Sequence, residues 1–442
     1  MRRARILGNA LLSTFVAGPA NAPASQSPAD FVLTNGRIWT AEPQHAWAEA
    51  VAVRAGRIVA TGSNAEVSAR RGSRTQVLDL GGRLVLPGFN DAHIHLVEGA
   101  LTLDEVDLIE DQTLEAAQAR IMAFAKAHPG TGFLRGHGWL YGSFPGGLPT
   151  KAQLDAAVPE RPAYMECYDG HSGWANSKAL AVAGITSATR DPENGVIVRD
   201  AQTGEPTGAL KEAARELVKA KIPAPDTETR YRLLLRALRQ LNAQGITSVQ
   251  DARTDSASLQ GEIPLFERAI REGQLTVRIA AAVQMREGDY ERPVAEARQL
   301  RALHHDALLR CGQVKGYVDG VIEAHTAALF EPYSDDASFG LGLPNWTATG
   351  LLAAVVAADQ AGLQVYLHAI GDRGVRMALD AHQAARRTNG PRDRRGRIEH
   401  IETIAAADYP RFRELGVIAS MQPLHANPDQ NNVTVWQRNA GV

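Results

Sequence analysis

The chain has 442 residues, of which 44% are hydrophobic and 22% are charged, as in ordinary globular proteins. Its formal net charge of −2 gives no electrostatic reason to expect a nucleic-acid partner or an acidic membrane surface. Cys167 and Cys311 are too few for a disulfide framework or a cysteine-rich zinc site, and the sequence does not decide whether they pair.

The first 24 residues are typical of a secretory signal peptide. Three arginines lie near the start, residues 6–17 form a short apolar run, and residues 22–24, Ala-Pro-Ala, offer a cleavage site. The run is too short for a membrane span. We therefore expect export to a periplasm or the exterior, with no membrane association after cleavage. An apolar leader without structure is the alternative.

Residues 29–83 contain short strand patterns. Several apolar runs between Phe31 and Leu80 are separated by turn residues, and Asn35-Gly36 is a strong signal for a hairpin turn. The pattern predicts a small antiparallel unit. So few strands rarely form a core alone, and part of the core must come from elsewhere.

From residue 84 onwards, strand and helix patterns alternate. The first strand pattern ends in the His-x-His of residues 93–95. Six more strand patterns follow, at residues 245–251, 276–284, 313–320, 364–368, 396–400 and 416–421. Helical patterns cover residues 111–127, 226–243, 349–361, 373–387 and 404–415. This alternation predicts an α/β fold, a (β/α)8 barrel over residues 84–442 whose eighth strand has no candidate.

An insertion at about residues 131–220 interrupts the alternation. It is rich in glycine, proline and aromatic residues and shows no regular pattern. We expect it to form a wall of a pocket. His137, His171, Trp139 and Trp174 are then either substrate contacts or packing residues of this subdomain, and the sequence favours neither.

Several predicted barrel strands end in a residue that can bind a metal ion. Side chains alternate along a strand, so His93 and His95 would point to the same side, while His368 and His400 end two later strands. Chemistry in such barrels lies at the carboxyl ends of the strands, and neutral imidazoles suit zinc and related divalent ions. One histidine at such a place is usually structural, but four that converge predict a metal site.

Lys315 lies within the fourth predicted strand. An apolar barrel interior disfavours an ammonium group. The lysine either pairs with Asp319 or Glu323, or its neutral amine takes up carbon dioxide. The resulting carbamate is a carboxylate-like group that can bridge two metal ions.

These motifs resemble the amidohydrolase superfamily, specifically its YtcJ-like branch, which includes N-substituted formamide deformylases. The matching segments are PGFNDAHIH (87–95), GHSGWANSKAL (170–180), VKGYVDGVIEAHTAAL (314–329), YLHAIGDRG (366–374), RIEHIE (397–402) and ASMQPLHA (419–426). The resemblance spans about residues 31–442 and implies a TIM-like metal-dependent hydrolase barrel with a small β-sandwich domain. It also implies one or two divalent ions, zinc being the metal expected, and makes Lys315 a candidate for N6-carboxylation. The implied ligands are His93, His95, Lys315, His368 and His400.

The chain departs from the family pattern after Met421. The family continues with an aspartate at the end of strand eight, which would carry a proton from water to the leaving amine. Asp429 is the one aspartate in this part and lies in a polar stretch. The catalytic residue is therefore unassigned, with His171 as a candidate substrate contact. We expect a C-terminally truncated barrel with low activity and low stability.

The favoured function is hydrolysis of a carbon–nitrogen bond other than a peptide bond, in a small amide or an N-substituted formamide, by metal-activated water. The partner is a small-molecule substrate, and a homo-oligomer is compatible with the sequence. A deaminase or cyclic-amide hydrolase on the same scaffold is one alternative. A truncated, non-catalytic metal-binding protein is another.

Overall fold

The computed structural model describes residues 27–254, 261–427 and 435–441. The proposed signal peptide and Asp429 lie outside these ranges, so export stays a prediction. The chain divides into two compact units, one ending at Gly88 and one beginning at Phe89. None of the described helices combines the length and the apolar character needed to cross a bilayer.

The strands are β1 (Phe31–Thr34), β2 (Arg37–Trp39), β3 (Trp47–Ala48), β4 (Ala50–Arg54), β5 (Arg57–Gly62), β6 (Gln76–Asp79), β7 (Leu84–Val85), β8 (Phe89–Ile94), β9 (Val106–Asp107), β10 (Leu134–Trp139), β11 (Ala163–Cys167), β12 (Ser172–Ala175), β13 (Gly195–Arg199), β14 (Pro206–Glu212), β15 (Ile246–Thr254), β16 (Arg278–Gln284), β17 (Leu309–Tyr317), β18 (Gln364–Ala369), β19 (Arg397–His400) and β20 (Ile418–Ser420). The α-helices are α1 (Asn64–Ser68), α2 (Leu96–Leu101), α3 (Leu114–Ala127), α4 (Lys151–Ala157), α5 (Ser177–Ala183), α6 (Glu216–Lys219), α7 (Thr227–Ala243), α8 (Ile263–Arg271), α9 (Glu291–Leu303), α10 (Ala348–Gln360), α11 (Asp372–Asn389), α12 (Tyr409–Leu415) and α13 (Gln437–Ala440).

The N-terminal unit is built from two small mixed sheets, in the orders β5–β4–β1–β6 and β3–β2–β7. Ile38 of the second sheet and Val51 of the first belong to one buried cluster, so the sheets share a core. The expected antiparallel pairing holds for β1 with β4, but β1 pairs with β6, and β2 with β7, in parallel. The hairpin prediction at Asn35 is wrong. Asn35 makes a turn with a φ of 53°, but the strands on either side of it join different sheets.

The second unit contains a nearly closed barrel. Seven strands lie in the order β8–β15–β16–β17–β18–β19–β20, and every neighbouring pair is parallel. These strands overlap the seven predicted from the sequence. The apolar residues of a central strand such as β18 (Gln364–Ala369) are buried on both faces, as in parallel sheets covered by helices. Within the described residues the outer edges of β8 and β20 pair with no strand, which leaves one unsealed seam.

Side chains inside the barrel connect the two strands at the seam. Arg397 of β19 is 4% exposed, and its Nη2 donates to the Ala92 carbonyl oxygen of β8 at 2.8 Å. The same nitrogen donates to Oγ of Ser420, in β20, at 2.7 Å. One guanidinium group therefore binds both edge strands from within.

The insertion is more regular than its sequence suggests. It contributes five strands to a six-stranded sheet in the order β13–β14–β12–β11–β10–β9, with parallel and antiparallel pairs. The sixth strand, β9, precedes the insertion in the chain. Trp139 and Trp174 are 1% and 0% exposed and lie in the core of the insertion. Their indole N–H groups donate to the carbonyl oxygens of Met165 and Thr150, so these tryptophans are packing residues.

Neither cysteine forms a disulfide. Cys167 lies in β11 and Cys311 in β17, and both are buried as free thiols. Burial raises the pKa of both thiols, which keeps them protonated and poorly nucleophilic.

Candidate metal centre

Four of the sequence-predicted ligands come together at the carboxyl ends of three barrel strands. His93 lies near the end of β8, and His95 follows that strand directly. Ring centroids of His93 and His95 are 5.5 Å apart, and those of His93 and His400 are 4.9 Å apart. The His400 and His368 rings follow at 4.6 Å. The imidazoles therefore form one continuous cluster across β8, β19 and β18.

The register between β18 and β19 explains why the His368 and His400 rings are the closest pair in the cluster. Ala369 of β18 lies opposite His400 of β19, so His368 and His400 are one residue apart on neighbouring strands. His400 has a φ of 74°, which is uncommon for a residue with a Cβ. This conformation ends β19 at the imidazole.

Lys315 lies close to the same cluster. It is 0% exposed in β17, next to β18, and its Nζ lies 4.8 Å from the centre of the Tyr317 ring. That ring is 5.3 Å from the His368 ring. The positive field of Lys315 contributes to lowering the pKa of His93, His368 and His400.

Each of three histidines has one ring nitrogen held by an oxygen acceptor. Nδ1 of His93 lies 2.8 Å from Oε2 of Glu399, and Nδ1 of His400 lies 2.9 Å from Oε1 of Gln422. Nε2 of His368 lies 3.1 Å from the Gly320 carbonyl oxygen. Because these oxygens accept, the bonded nitrogens carry the proton, and the lone pair lies on the opposite nitrogen. Metal-binding histidines are oriented in this way.

The electrostatics favour neutral imidazoles. Burial is the largest cause that lowers the pKa of His93, and it lowers the pKa of His368 and His400 well below the usual value. Glu399 stays ionised, because bonds from His93 and Arg397 outweigh its burial and lower its pKa to about 2. Neutral nitrogen is the form that binds a metal ion.

The donor atoms of the cluster do not converge on one point as a complete coordination shell would. Among the described residues, no three histidine, cysteine, aspartate or glutamate side chains are arranged so that they could hold one ion. The donor chemistry and the fixed tautomers nevertheless fit a divalent metal. The donor types therefore suit a divalent ion. The imidazole rings would have to rotate for their free nitrogens to converge on it.

The insertion brings His171, one of the two histidines for which the sequence favoured neither substrate contact nor packing, next to this cluster. The His171 ring is 5.7 Å from the His368 ring, and its Nδ1 lies 3.0 Å from both carboxylate oxygens of Glu212. Burial opposes protonation of His171, but Glu212 and Asp169 outweigh it and raise its pKa to about 9. His171 is therefore a cation beside a neutral histidine.

His137 lies elsewhere in the insertion. Its Nε2 is 3.7 Å from Oδ1 of Asp107, and its Nδ1 is 4.0 Å from Oε2 of Glu105. Burial lowers its pKa. It is not among the rings in contact with the four-histidine cluster.

Sequence reasoning missed the buried acids around the cluster. Glu402 is one, with its Oε1 2.6 Å from Nδ1 of His425, whose ring is 5.4 Å from that of His400. Burial, followed by the negative charges of nearby acids, raises the pKa of Glu402 well above its usual value. Glu399 and Glu402 both lie in the RIEHIE segment, Glu399 within β19 and Glu402 two residues after its end. Charged residues in and directly after a predicted barrel strand were the available signal.

Asp319, which the sequence offered as a partner for Lys315, is a further buried acid and lies near His368. Its carboxylate accepts backbone N–H groups of Ala328, Ile370 and Gly371 at 2.9, 3.0 and 2.9 Å. Its Oδ1 lies 3.8 Å from Nε2 of His368. Burial outweighs the three N–H bonds and raises the pKa of Asp319 to about 7.

Comparison with known families gives one match that covers most of the chain. Residues 76–439 match a family described as the amidohydrolase family. A relative from Bacillus subtilis, named putative amidohydrolase YtcJ, is 31% identical over 400 residues, which cover 88% of this chain and 72% of the relative. The N-substituted formamide deformylase of Arthrobacter pascens is 28% identical over 411 residues, covering 90% and 73% of the two chains.

Two further proteins are similar over a comparable length. Protein LONG AFTER FAR-RED 3 of Arabidopsis thaliana is 33% identical over 412 residues, covering 92% of this chain and 70% of the relative. A crystal structure of an uncharacterized metal-dependent hydrolase from Pyrococcus horikoshii superimposes with a TM-score of 0.64 at 25% identity, covering 89% of this chain and 74% of the other.

Proposed function

This chain belongs to the amidohydrolase family, a family of metal-dependent hydrolases, and we propose that it hydrolyses a carbon–nitrogen bond in a small amide or an N-substituted formamide. The cluster of His93, His95, His368 and His400 beside the buried Lys315 is the observation that carries this proposal. The formamide is favoured because the deformylase is similar over most of both chains.

His93, His95, His368 and His400, together with Lys315, would hold the divalent ion, for which we propose zinc. The ion would supply an activated water molecule and would polarise the substrate carbonyl. The fixed tautomers of His93, His368 and His400 support this set, since their second nitrogens are already bound to oxygen acceptors.

We propose that Lys315 takes part as a carbamate. The Lys315 ammonium first releases one proton to solvent. The neutral amine then adds to carbon dioxide, which forms an N–C bond and releases a second proton. The product is an anion that offsets the positive charge which a metal ion brings into this buried place. Support comes from its position in β17, fully buried beside the histidine cluster.

His171 can stabilise negative charge on the substrate. It carries a proton at neutral pH and lies beside His368, where the attacked carbonyl oxygen would gain charge. Glu212 fixes the ring, and Oγ1 of Thr326 donates to Glu212 at 2.5 Å. Glu212 has a φ of 47° and a ψ of −126°, an uncommon backbone conformation that is more usual near functional sites.

The proposal is tested by measuring zinc content and turnover of the full chain on a panel of N-substituted formamides, simple amides, cyclic amides and aminopurines. Zinc-dependent release of formate or another carboxylate from the first two groups is the expected result. Turnover of cyclic amides or aminopurines alone would overturn the substrate assignment. Zinc binding with no turnover on any member of the panel would overturn the hydrolase proposal.

A further inference from the structure

The loop that follows β17, residues 319–328, contacts two parts of the proposed site. At Gly320 it contacts the candidate ligand His368, whose Nε2 donates to the Gly320 carbonyl oxygen at 3.1 Å. At Thr326 it contacts Glu212 of the insertion, the partner of the proposed substrate contact. One loop therefore borders both the metal centre and the group that is proposed to bind substrate.

The loop folds back on itself, which brings its two contact points together. The Gly320 N–H donates to the Thr326 carbonyl oxygen at 3.1 Å, and the Thr326 N–H donates to the Val321 carbonyl oxygen at 3.0 Å. The Val321 N–H donates in turn to Oγ1 of Thr326, also at 3.0 Å. Thr326 is 3% exposed. The same hydrogen bonds thus fix the Gly320 carbonyl group and the Thr326 hydroxyl.

Gly320 leaves the space in which Thr326 reaches Glu212. A Cβ atom at residue 320 would overlap Oγ1 of Thr326 and would lie 2.7 Å from Oε1 of Glu212. Both atoms would have to move to admit a side chain. The contact between the hydroxyl and the carboxylate therefore depends on a glycine at this position.

The Thr326 hydroxyl has one proton to donate and two acceptors within reach. Oε1 of Glu212 lies 2.5 Å from Oγ1, whereas the Val321 carbonyl oxygen lies 3.3 Å away. The carboxylate oxygen is the closer and more negative acceptor, and hydrogen bonds to ionised groups are short and strong. Thr326 therefore donates to Glu212 and fixes one of its two oxygens.

Glu212 transmits this orientation to His171. Nδ1 of the imidazole lies 3.0 Å from each carboxylate oxygen, so the ring is bound to both oxygens at once. The Glu212 N–H also donates to the His171 carbonyl oxygen at 2.9 Å, which holds the two backbones together. A rotation of the carboxylate would turn the imidazole, and the bond from Thr326 opposes that rotation.

We propose that Thr326 is a positioning residue for His171 and sets where the substrate carbonyl lies relative to the metal centre. The inference rests on the proposed function, in which His171 stabilises charge on the attacked oxygen. The hydroxyl acts through Glu212 and touches neither the substrate nor the metal ion. Because the same turn holds His368 at Gly320, it fixes the two imidazoles relative to each other.

Proton NMR of the full chain, labelled with 15N-histidine, tests the bond without turnover. The Nδ1 proton of His171 should give a downfield signal that His171→Gln removes. Thr326→Val should lose this signal to exchange with water, because the carboxylate is then free to rotate, and Thr326→Ser should keep it. The control is Thr207→Val, which removes a hydroxyl of the same strand as Glu212 that donates to the Val198 carbonyl oxygen. An unchanged signal in Thr326→Val, or none in the unmodified chain, would overturn the proposal.

Steady-state kinetics with N-butylformamide test the consequence for catalysis. Thr326→Val should lower kcat about tenfold and change KM less than about twofold, because charge on the attacked oxygen develops in the transition state. Bound zinc should stay the same, and Thr326→Ser should recover most of the lost kcat. A change in KM alone, or a loss of kcat that follows a loss of zinc, would overturn the proposal.

A double-variant cycle separates action through Glu212 from a purely structural role. Thr326→Val also removes the acceptor of the Val321 N–H, which would weaken the turn by itself. In a Glu212→Ala background, Thr326→Val should change kcat less than about twofold, because the carboxylate on which it acts is gone. A tenfold loss in both backgrounds would overturn the proposal. Absence of turnover in the unmodified chain would contradict the proposed function alone, since the NMR comparison still decides the role of Thr326.

Discussion

Glu399 holds His93 across the barrel seam, with its Oε2 2.8 Å from Nδ1 of the imidazole. His93 lies on β8, at one edge of the sheet, and Glu399 lies on β19, next to the other edge. Arg397 donates to both oxygens of the same carboxylate, at 2.8 and 2.9 Å. The orientation of one candidate ligand thus depends on a residue from the opposite side of the seam.

Replacing Glu399 with glutamine should weaken metal affinity about 10- to 100-fold, the usual effect of losing such a partner. The amide keeps the shape of the side chain but removes the negative charge that fixes the His93 tautomer. Zinc dissociation constants from competition with a chromophoric chelator measure the effect. Glu160→Gln, at a side chain that is 91% exposed, is the control, and equal affinities in the two variants would contradict the role of Glu399.

The double variant His93→Ala/His95→Ala should lose most bound metal, because two strong ligands leave a site that needs several. Elemental analysis of the purified full chain measures zinc per molecule. His128→Ala/His305→Ala removes two exposed histidines and should keep the metal. Full metal content in the first double variant would disprove the ligand assignment.

Carbamylation of Lys315 can be detected directly. Carbon NMR of metal-loaded protein prepared with labelled carbon dioxide should show one carbamate signal, and Lys315→Ala should remove it. The same variant should lose turnover, and acetate should restore part of it by supplying a carboxylate in the vacated space. A Lys178→Ala control keeps the signal. An unmodified Lys315 amine in active, metal-loaded protein would rule out the carbamate.

Stability should fall in acid because of a buried histidine outside the metal cluster. His382 is 4% exposed in α11, and burial lowers its pKa to about 4, below its usual 6.5. The unfolded chain therefore binds more protons between these two pH values, so the free energy of unfolding decreases as pH falls from 6.5 to 4. The decrease has an upper limit of about 3 kcal/mol.

Denaturant titrations at several pH values measure this slope. His382→Leu should flatten the curve between pH 6.5 and 4 by the same amount, since leucine binds no proton. His305→Gln, at an exposed histidine, is the control for other effects of losing an imidazole. Parallel curves for His382→Leu and the unmodified chain would show that His382 does not cause the acid sensitivity.

Most of the barrel could be predicted because strand patterns alternate with helical patterns along the chain, which is typical of a parallel sheet covered by helices. The seven predicted strands overlap β8, β15, β16, β17, β18, β19 and β20. The insertion sheet could not be predicted in the same way, since its strands mix glycine and charged residues, as in β10 and β14. Its strands are held by pairing between segments distant in sequence.

The site was predicted in part. His-x-His and the histidines that end β18 and β19 follow from strand periodicity, and the structure gathers them. The acids that orient or surround them do not follow from spacing. Glu399 reaches His93 over a separation of 306 residues, which only the closed curvature of the sheet brings about. At Asn35-Gly36 the local signal was correct but the inferred pairing was not. The turn forms, but β1 and β2 on either side of it belong to different sheets.

The guanidinium of Arg397 determines how the seam should behave in hydrogen–deuterium exchange. Amides of β16, β17 and β18 are paired on both sides and should exchange only when the barrel opens globally, whereas those of β8 and β20 border the seam. Because Arg397 binds β8 and β20 together, their protection should depend on a side chain remote in sequence from β8. Arg397→Met would then accelerate exchange in both edge strands at once and leave the central three unchanged. We therefore expect the seam to open as a cooperative unit of its own, since a side chain joins its two strands where backbone hydrogen bonds join the others.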